Sequence, residues 1–252
     1  MDRLQVWVIN LDRAPERLER ISGQLQRLRL PYTRLPAVDA KALTPEQRAA
    51  LDDTGYRRLH GMNPVLGELG CFLSHVEVAR RFLASGAEAA LVLEDDALLH
   101  DSLPAVLQGL LANPRRWDMV KLSAVHSGTP MPVVTVAQGH ALAVMLSRCT
   151  GSSAYLMNRR AADLYATSLL PMRLPYDHVF DLGWRLGLKV RMVTPTPCTH
   201  DESIATTIGA APGPSRKFHW TQRLAAHRYR VGVELQRVAY GVVQLLRERL
   251  AG

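Results

Sequence analysis

Three consecutive carboxylates, Glu94-Asp95-Asp96, follow directly on the apolar run Ala89-Ala90-Leu91-Val92-Leu93. A run this short reads as a buried strand rather than a helix, so the acids stand at a strand's carboxyl end. In open α/β sheets, ligands bind beyond the carboxyl ends of the strands. If the backbone stays extended past Glu94, its side chain and that of Asp96 share a face, roughly 7 Å apart. At an effective dielectric of about 20, two such charges repel by about 2 kcal/mol. A hard divalent cation bound through oxygen is the simplest compensation. The alternative is a solvated acidic loop that closes a core strand.

The elements around the acids follow from periodicity. Gln5–Asn10 reads as a first strand ending in the polar pair Asn10 and Asp12. Pro15 then suits the first turn of a helix that carries Leu18, Ile21, Leu25 and Leu28 at helical spacing. A strand near Tyr32–Leu35 and a loop holding Asp39 complete a βαβ start. Neither a dinucleotide fingerprint nor a P-loop is present. A short helix over Pro45–Leu51 precedes a longer one over Gly67–Leu83, where Leu69, Phe72, Val76, Ala79 and Leu83 form the core stripe. Ser74 and His75 fall on its flank. Further strands are predicted at Met119–Leu122, Ala141–Met145, Ala154–Met157 and Lys189–Val193, with helices at Arg159–Leu169 and Tyr176–Leu186. Ser127–Pro132 and Gly209–Ser215 read as Pro/Gly-rich connections.

Composition narrows the function classes. The formal net charge is +8, but from Ser215 onward eight bases face two acids, so this segment carries +6 of it. The body is nearly neutral, and no helix-turn-helix, RRM or zinc-finger pattern accompanies the high pI, which excludes a nucleic-acid reading. Cys71, Cys149 and Cys198 are widely spaced and odd in number, as expected in a reducing compartment and not in a disulfide framework. Met1–Trp7 lacks a basic region followed by a sustained apolar core, so no signal peptide is expected. No apolar run approaches the length of a spanning helix.

Six pieces in order resemble glycosyltransferase family 25, the lipooligosaccharide and lipopolysaccharide galactosyltransferase-like enzymes. They are Ile9-Asn10-Leu11-Asp12-Arg13 with Arg17, Ala37-Val38-Asp39, Gly67–Cys71 with Leu73-Ser74-His75, Leu93–Asp96, Ala154-Tyr155-Leu156 and Pro175-Tyr176-Asp177. The resemblance spans about residues 5 to 205. It implies an α/β, GT-A-like fold, a UDP-galactose donor, Mn2+ or Mg2+ as cofactor, and inversion at the anomeric carbon.

On that resemblance, Glu94-Asp95-Asp96 takes the place of a D-x-D motif. Asp96 is the first choice of metal ligand, Glu94 reaches the metal or the donor sugar, and Asp95 lies with the donor. Asn10, Asp12 and Arg13 form a uridine and diphosphate pocket, Asp39 bonds the base or ribose, and Ser74 contacts the donor. For Asp12 and Asp39, capping a helix or turn is the alternative. His75 reads as a structural histidine. His200 is a candidate late metal ligand, as a neutral imidazole allows. Inverting transfer needs a base opposite the leaving group, and Asp177 is the candidate, with Asp181 in reserve and an N-cap as the competing role for Asp177.

The expected organisation is a GT-A-like catalytic domain over residues 1–208, then a linker and basic amphipathic helical tail over 209–252. In the tail, Val231, Leu235, Val238, Val242, Leu245 and Leu246 recur at helical spacing among Arg228, Arg230, Arg237, Arg247 and Arg249. Such a helix suits the interface of an anionic membrane, or its stripe packs on the body. The expected partners are a UDP-sugar and a saccharide or envelope glycolipid acceptor, with the protein cytoplasmic and peripheral on the inner membrane. A metal-dependent phosphoesterase, or a sugar-nucleotide-binding protein without turnover, would use the same acids.

Overall fold

A computed structural model describes residues 3–126, 128–201 and 217–250. The chain opens with β1 (Leu4–Asn10), α1 (Pro15–Arg27) and β2 (Thr33–Pro36), the strand–helix–strand unit predicted above. Pro15 occupies the first turn of α1, where a missing N–H breaks no bond. Two short helices follow. α2 (Pro45–Ala49) starts on a Thr44–Gln47 capping box, and α3 (Asp53–His60) on Asp52. α4 (Leu66–Ala84) leads into β3 (Ala89–Glu94), and a turn at Asp95-Asp96 leads into β4 (Ala97–Leu99). Next come α5 (Leu103–Leu111), β5 (Met119–Lys121), β6 (Pro130–Ala137), β7 (His140–Met145), β8 (Ala154–Asn158) and α6 (Arg159–Ser168). α7 (Tyr176–Val179) runs into a 3-10 segment, Phe180–Leu186, followed by β9 (Val190–Thr194), β10 (Cys198–His200) and the long α8 (Leu224–Leu250).

Among the described residues, eight strands form one sheet in the order β2-β1-β3-β8-β5-β9-β7-β6. β1 pairs in parallel with β2 and β3, and β5 with β9, while the other pairings are antiparallel. Only β8 and β7 therefore run against the common direction. Both faces are covered. Val6, Val8, Leu91 and Leu93 pack with Ile21, Leu25 and Leu107 in one core, while Trp7, Ile9, Ala90 and Val92 pack with Phe72, Val76 and Tyr165 in the other. Alternate residues thus bury on opposite faces, which is why β3 reads as an unbroken apolar run. The α/β class holds, with a mixed sheet flanked by helices.

Several local expectations change. The chain turns at Asp95-Asp96, so the extended backbone that would place Glu94 and Asp96 on one face does not continue. Pro130–Pro132 opens β6 instead of belonging to a loop; it lies at the sheet edge, where a strand tolerates proline. Tyr176–Leu186 is not one helix but α7 followed by tighter 3-10 turns. Ser74 and His75 are buried rather than flanking, because α4 is packed against β1, β2, α6, α7 and the Ala40–Ala42 turn. Gly70 permits that last approach: a Cβ there would stand 2.6 Å from the Val38 carbonyl oxygen. The predicted linker Gly209–Ser215, and with it the 208/209 boundary, lies outside the described residues.

The tail is inverted relative to ordinary amphipathic packing. α8 turns Ala226, Val233, Arg237, Gly241 and Gln244 inward. Arg237 donates to Asp181 Oδ2 at 2.8 Å, with both side chains buried, and Lys121 Nζ lies 3.9 Å from Asp181 Oδ1. Gln244 and Glu248 accept from the fully buried Arg191 at 2.8 and 3.2 Å. The apolar stripe faces outward, with Val231 61% and Leu235 68% exposed, and Val238, Val242 and Leu246 also exposed. The alternative in which the stripe packs on the body is therefore excluded. Polar side chains hold the helix to its neighbours.

Candidate functional site

The site forms where parallel strands β1 and β3 end side by side, with Ile9 in register with Glu94. That register sets Asn10 next to Asp95. Asn10 Nδ2 donates to Asp95 Oδ2 at 2.7 Å and to the Ala14 carbonyl at 2.9 Å, while Arg34 Nε donates to Asn10 Oδ1 at 3.1 Å. Arg17 comes from the first turns of α1, on the face that also buries Ile21 and Leu25. Its guanidinium pairs with Asp95 and lies 3.3 Å from Asp96 Oδ2. Two of the three acids thus share one buried cation.

Glu94 is held separately. Ser152 Oγ donates to its Oε1 at 2.6 Å, and His75 Nε2 lies 3.3 Å from the same oxygen. His75 Nδ1 is 3.0 Å from the Tyr155 hydroxyl, and its ring stacks on Tyr176 with centroids 4.1 Å apart. Both ring nitrogens are engaged, so His75 positions Glu94. Burial pushes the Glu94 carboxyl up, but the bonds from His75 and Ser152, with the nearby charges of His75 and Arg17, outweigh it and leave it below the ordinary value. Burial wins at Asp95, which is raised despite Asn10 and Arg17. At Asp96, burial and the Glu94 charge together push the carboxyl up to about 7.

Asp96 Oδ1 is buried and has no hydrogen-bond partner among the described residues. A buried acceptor left bare is costly and asks for a partner. An orphaned carboxylate oxygen, on a group that burial drives toward protonation, fits a hard divalent cation, whose charge would favour the ionised form. Asp96 would be its first ligand, with Glu94 the other acid of the cleft. His200 lies in β10 opposite Ala97, and Asp201 N donates to the Asp96 carbonyl at 3.0 Å, so the turn and β10 are tied through their backbones. The described group of three whose ligand atoms all lie within 4.8 Å is Cys71, His75 and Glu94, not Glu94, Asp96 and His200. The reason is the turn, which sends Glu94 toward α4 while Asp96 faces Arg17. Burial drives the Cys71 thiol well above its ordinary range, with the charges of Glu94, Asp177 and Asp96 adding to the rise, so it stays protonated.

The remaining predicted residues divide. Arg13, Ser74, Asn10 and the three acids line one cleft of about 90 Å3, room for a cation and a phosphate-sized group. Asp12 and Asp39 are not among its lining residues. Asp12 pairs with Arg34 at the surface, while Asp39 pairs with Arg13 and accepts from Lys41 N at 2.9 Å, capping the Ala40–Ala42 turn. The Arg13 bond, then the Lys41 N–H, hold the Asp39 carboxyl below its ordinary value. Ser74 donates to the Gly70 carbonyl at 2.7 Å and accepts from Val38 N at 2.9 Å, fastening that loop to α4.

Asp177 is half-buried in the first turn of α7, makes no capping bond, and accepts from Gly151 N at 3.3 Å. Gly151 has φ +104°, a conformation that favours glycine. Its neighbour Ser152 holds Glu94, so one short segment ties Asp177 to the acid cluster. Asp181, the reserve base, is instead buried against Arg237 and Lys121. Sequence reasoning missed the roles of Arg17, Ser152 and the Tyr155–His75–Tyr176 assembly. His75, Tyr155 and Tyr176 stood in the quoted motifs without these roles, and Arg17 carried a further signal: it occupies the helical stripe that continues through Ile21 and Leu25, where a solvated arginine is out of place.

Comparison with known proteins gives the family. The family described as "Glycosyltransferase family 25 (LPS biosynthesis protein)" matches residues 3–180. The chain is 30% identical over 185 residues to procollagen galactosyltransferase 1 of Danio rerio, covering 69% of this chain and 30% of that protein. It is 34% identical over 113 residues to procollagen galactosyltransferase 2 of Homo sapiens, covering 43% and 18%. A Bos taurus protein named "Probable inactive glycosyltransferase 25 family member 3" is 28% identical over 182 residues, covering 69% and 30%. The match spans less than a third of the length of each of these relatives. With the matched region running through every element that builds the acid cleft, the chain belongs to glycosyltransferase family 25.

Proposed function

We propose that this protein transfers galactose, or a related hexose, from a UDP-sugar to a saccharide hydroxyl with inversion, in a GT-A-type arrangement. The observation that carries this reading is the acid cleft at the ends of β1 and β3, with Asp96 Oδ1 bare and Arg13 and Arg17 in the same wall. The names of the Danio rerio and Homo sapiens relatives support galactose. Asp96 and Glu94 would bind Mn2+ or Mg2+, which when bound neutralises charge on a diphosphate leaving group. Arg13 draws the diphosphate oxygens, and Arg17 keeps Asp95 and Asp96 in place. His75 and Ser152 orient Glu94. Asp177, tied to the acids through Gly151-Ser152, accepts the proton of the acceptor hydroxyl as the new glycosidic bond forms.

An envelope glycolipid of the lipopolysaccharide type is the acceptor we favour, supported by the outward apolar stripe of α8. Among the described residues, no helix is long and apolar enough to cross a membrane. The stripe is flanked by exposed Arg228, Arg247 and Arg249, whereas Arg237 is buried and Arg230 donates to the His60 carbonyl. Each exposed arginine near an anionic leaflet contributes about 1 kcal/mol. Flotation with anionic vesicles should recover the full chain but not Val231→Glu/Leu235→Glu; equal recovery of both rejects the tail as an anchor.

The central test is a panel of nucleotide sugars, scored by thermal shift with Mn2+ and by transfer to oligosaccharide acceptors. UDP-galactose should raise Tm only with metal present and should support transfer. Transfer undiminished in EDTA would remove the metal from the reading. A metal-dependent Tm rise without transfer would reduce the protein to a sugar-nucleotide binder.

A further inference from the structure

A second cavity, of about 430 Å3, lies between α3, α7, the end of β7 and α8, and no role above uses it. His178, the residue after Asp177, lines it together with His60, Arg148 and Arg230. Its acids are already committed. Asp181 binds Arg237, and Glu234 lies 3.6 Å from Arg237 and accepts from Arg148 N at 3.2 Å. The guanidinium of Arg148 has no hydrogen-bond or ion-pair partner among the described residues. Arg230 makes one neutral bond, to the His60 carbonyl at 2.9 Å. Neither guanidinium is paired with a carboxylate among the described residues.

Electrostatics agrees with this count of partners. Burial lowers the pKa of Arg230, and the charges of Arg223 and Arg148 lower it further. Burial lowers His178 as well; Asp177 and, more weakly, Asp181 oppose the drop, and Arg148 and Arg230 add to it. Clustered guanidinium groups without a counter-charge are stabilised by an oxyanion, which they bind through charge-assisted, bidentate hydrogen bonds. The volume exceeds what a phosphate needs and is in the range of small-molecule sites.

We infer that this cavity is an anion subsite, in which Arg148 and Arg230 seat a phosphate group carried by the acceptor saccharide and so present its hydroxyl to Asp177. The assignment to the acceptor rests on the transferase reading above; the anion site itself does not.

The test uses the full chain and inorganic phosphate, with the His178 ring resonances as the readout. Phosphate should shift them saturably. Arg148→Gln and Arg230→Gln should each weaken that binding about tenfold, with UDP affinity and Tm unchanged. Two variants guard against one misfolding. Saturating UDP should leave the phosphate response intact; competition by UDP, or no saturable shift at His178, overturns the subsite. Hexose 6-phosphate should displace phosphate, whereas the free hexose should not. Displacement by anionic phospholipid vesicles in place of the sugar phosphate overturns the acceptor assignment and makes the cavity a headgroup site. Failure of UDP to bind at all breaks the transferase reading, and the His178 titration then stands or falls on phosphate alone.

Discussion

The acid cleft and the basic cavity solve opposite problems with different materials. In the cleft, two of the three carboxylates at a strand end share buried Arg17, Glu94 is held by Ser152 and His75, and one oxygen of Asp96 has no hydrogen-bond partner among the described residues. In the cavity, the acids Asp181 and Glu234 pair with Arg237, and the guanidinium groups of Arg148 and Arg230 have no carboxylate partner among the described residues. The cleft is tight, about 90 Å3, and its side chains are braced by one another. The cavity is roomier, about 430 Å3, and is walled by elements distant in sequence, with α8 supplying Arg230. Each region carries charge that its described residues do not fully neutralise, and on the two proposals above each would take a ligand of opposite sign. Asp177, tied to the cleft through Gly151-Ser152, is the chain neighbour of His178 in the cavity wall.

That contrast can be broken at several points. The largest effect is expected in the cleft. Asp96→Ala should lower hexosyl transfer by about a thousandfold, as loss of a group that supports charge at the reacting centre does. It should also abolish Mn2+-dependent UDP binding in calorimetry, with an unchanged circular dichroism spectrum. Full metal-dependent binding in this variant would move the cation site elsewhere.

Asp177→Asn should separate the two regions. Its donor affinity should match the wild type, while kcat falls about a hundredfold or more, the usual scale for a lost general base. A parallel fall in UDP affinity would make Asp177 part of the donor site. Structural support for the cavity is tested by Asp181→Asn, which leaves Arg237 and Lys121 without their buried partner. We expect a loss of about 3 kcal/mol in urea unfolding. In Asp181→Asn/Arg237→Met, a large part of that loss should return, because the stranded charge is gone.

The smallest effect concerns Asp96 without metal. Its folded pKa, about 7, stands well above that of an ordinary aspartate. The native state therefore holds a proton that the unfolded chain has already released. Stability from this group is full below about pH 4 and is lost as pH rises toward 7. Metal-free Asp96→Asn should lose that slope and melt higher than the metal-free wild type at pH 7. Equal slopes in the two proteins would mean that Asp96 is ionised throughout.

Much of the cleft was legible in the chain alone because its parts are local or repeat at a fixed period. The Ala89–Leu93 run, the Pro15 helix start and the acids at a strand end each depend on a few neighbouring residues, and the ordered family motifs bind them together. What neighbouring residues cannot specify is which side of an element meets another element. Ser74 and His75 were flank residues on one helix, and became interior only when α6, α7 and the β2 loop closed over α4. The Asp95-Asp96 turn depends on Asn10 and Arg17 reaching Asp95 from elsewhere in the sequence, and β4 on pairing with β10. α8 is the clearest case. Its periodicity alone determined an amphipathic basic helix, yet the buried charges of Asp181 and Arg191 are matched by Arg237, Gln244 and Glu248, and these drew the polar face inward. An unpaired buried charge costs more than an exposed apolar stripe, and only the tertiary structure shows where those charges lie.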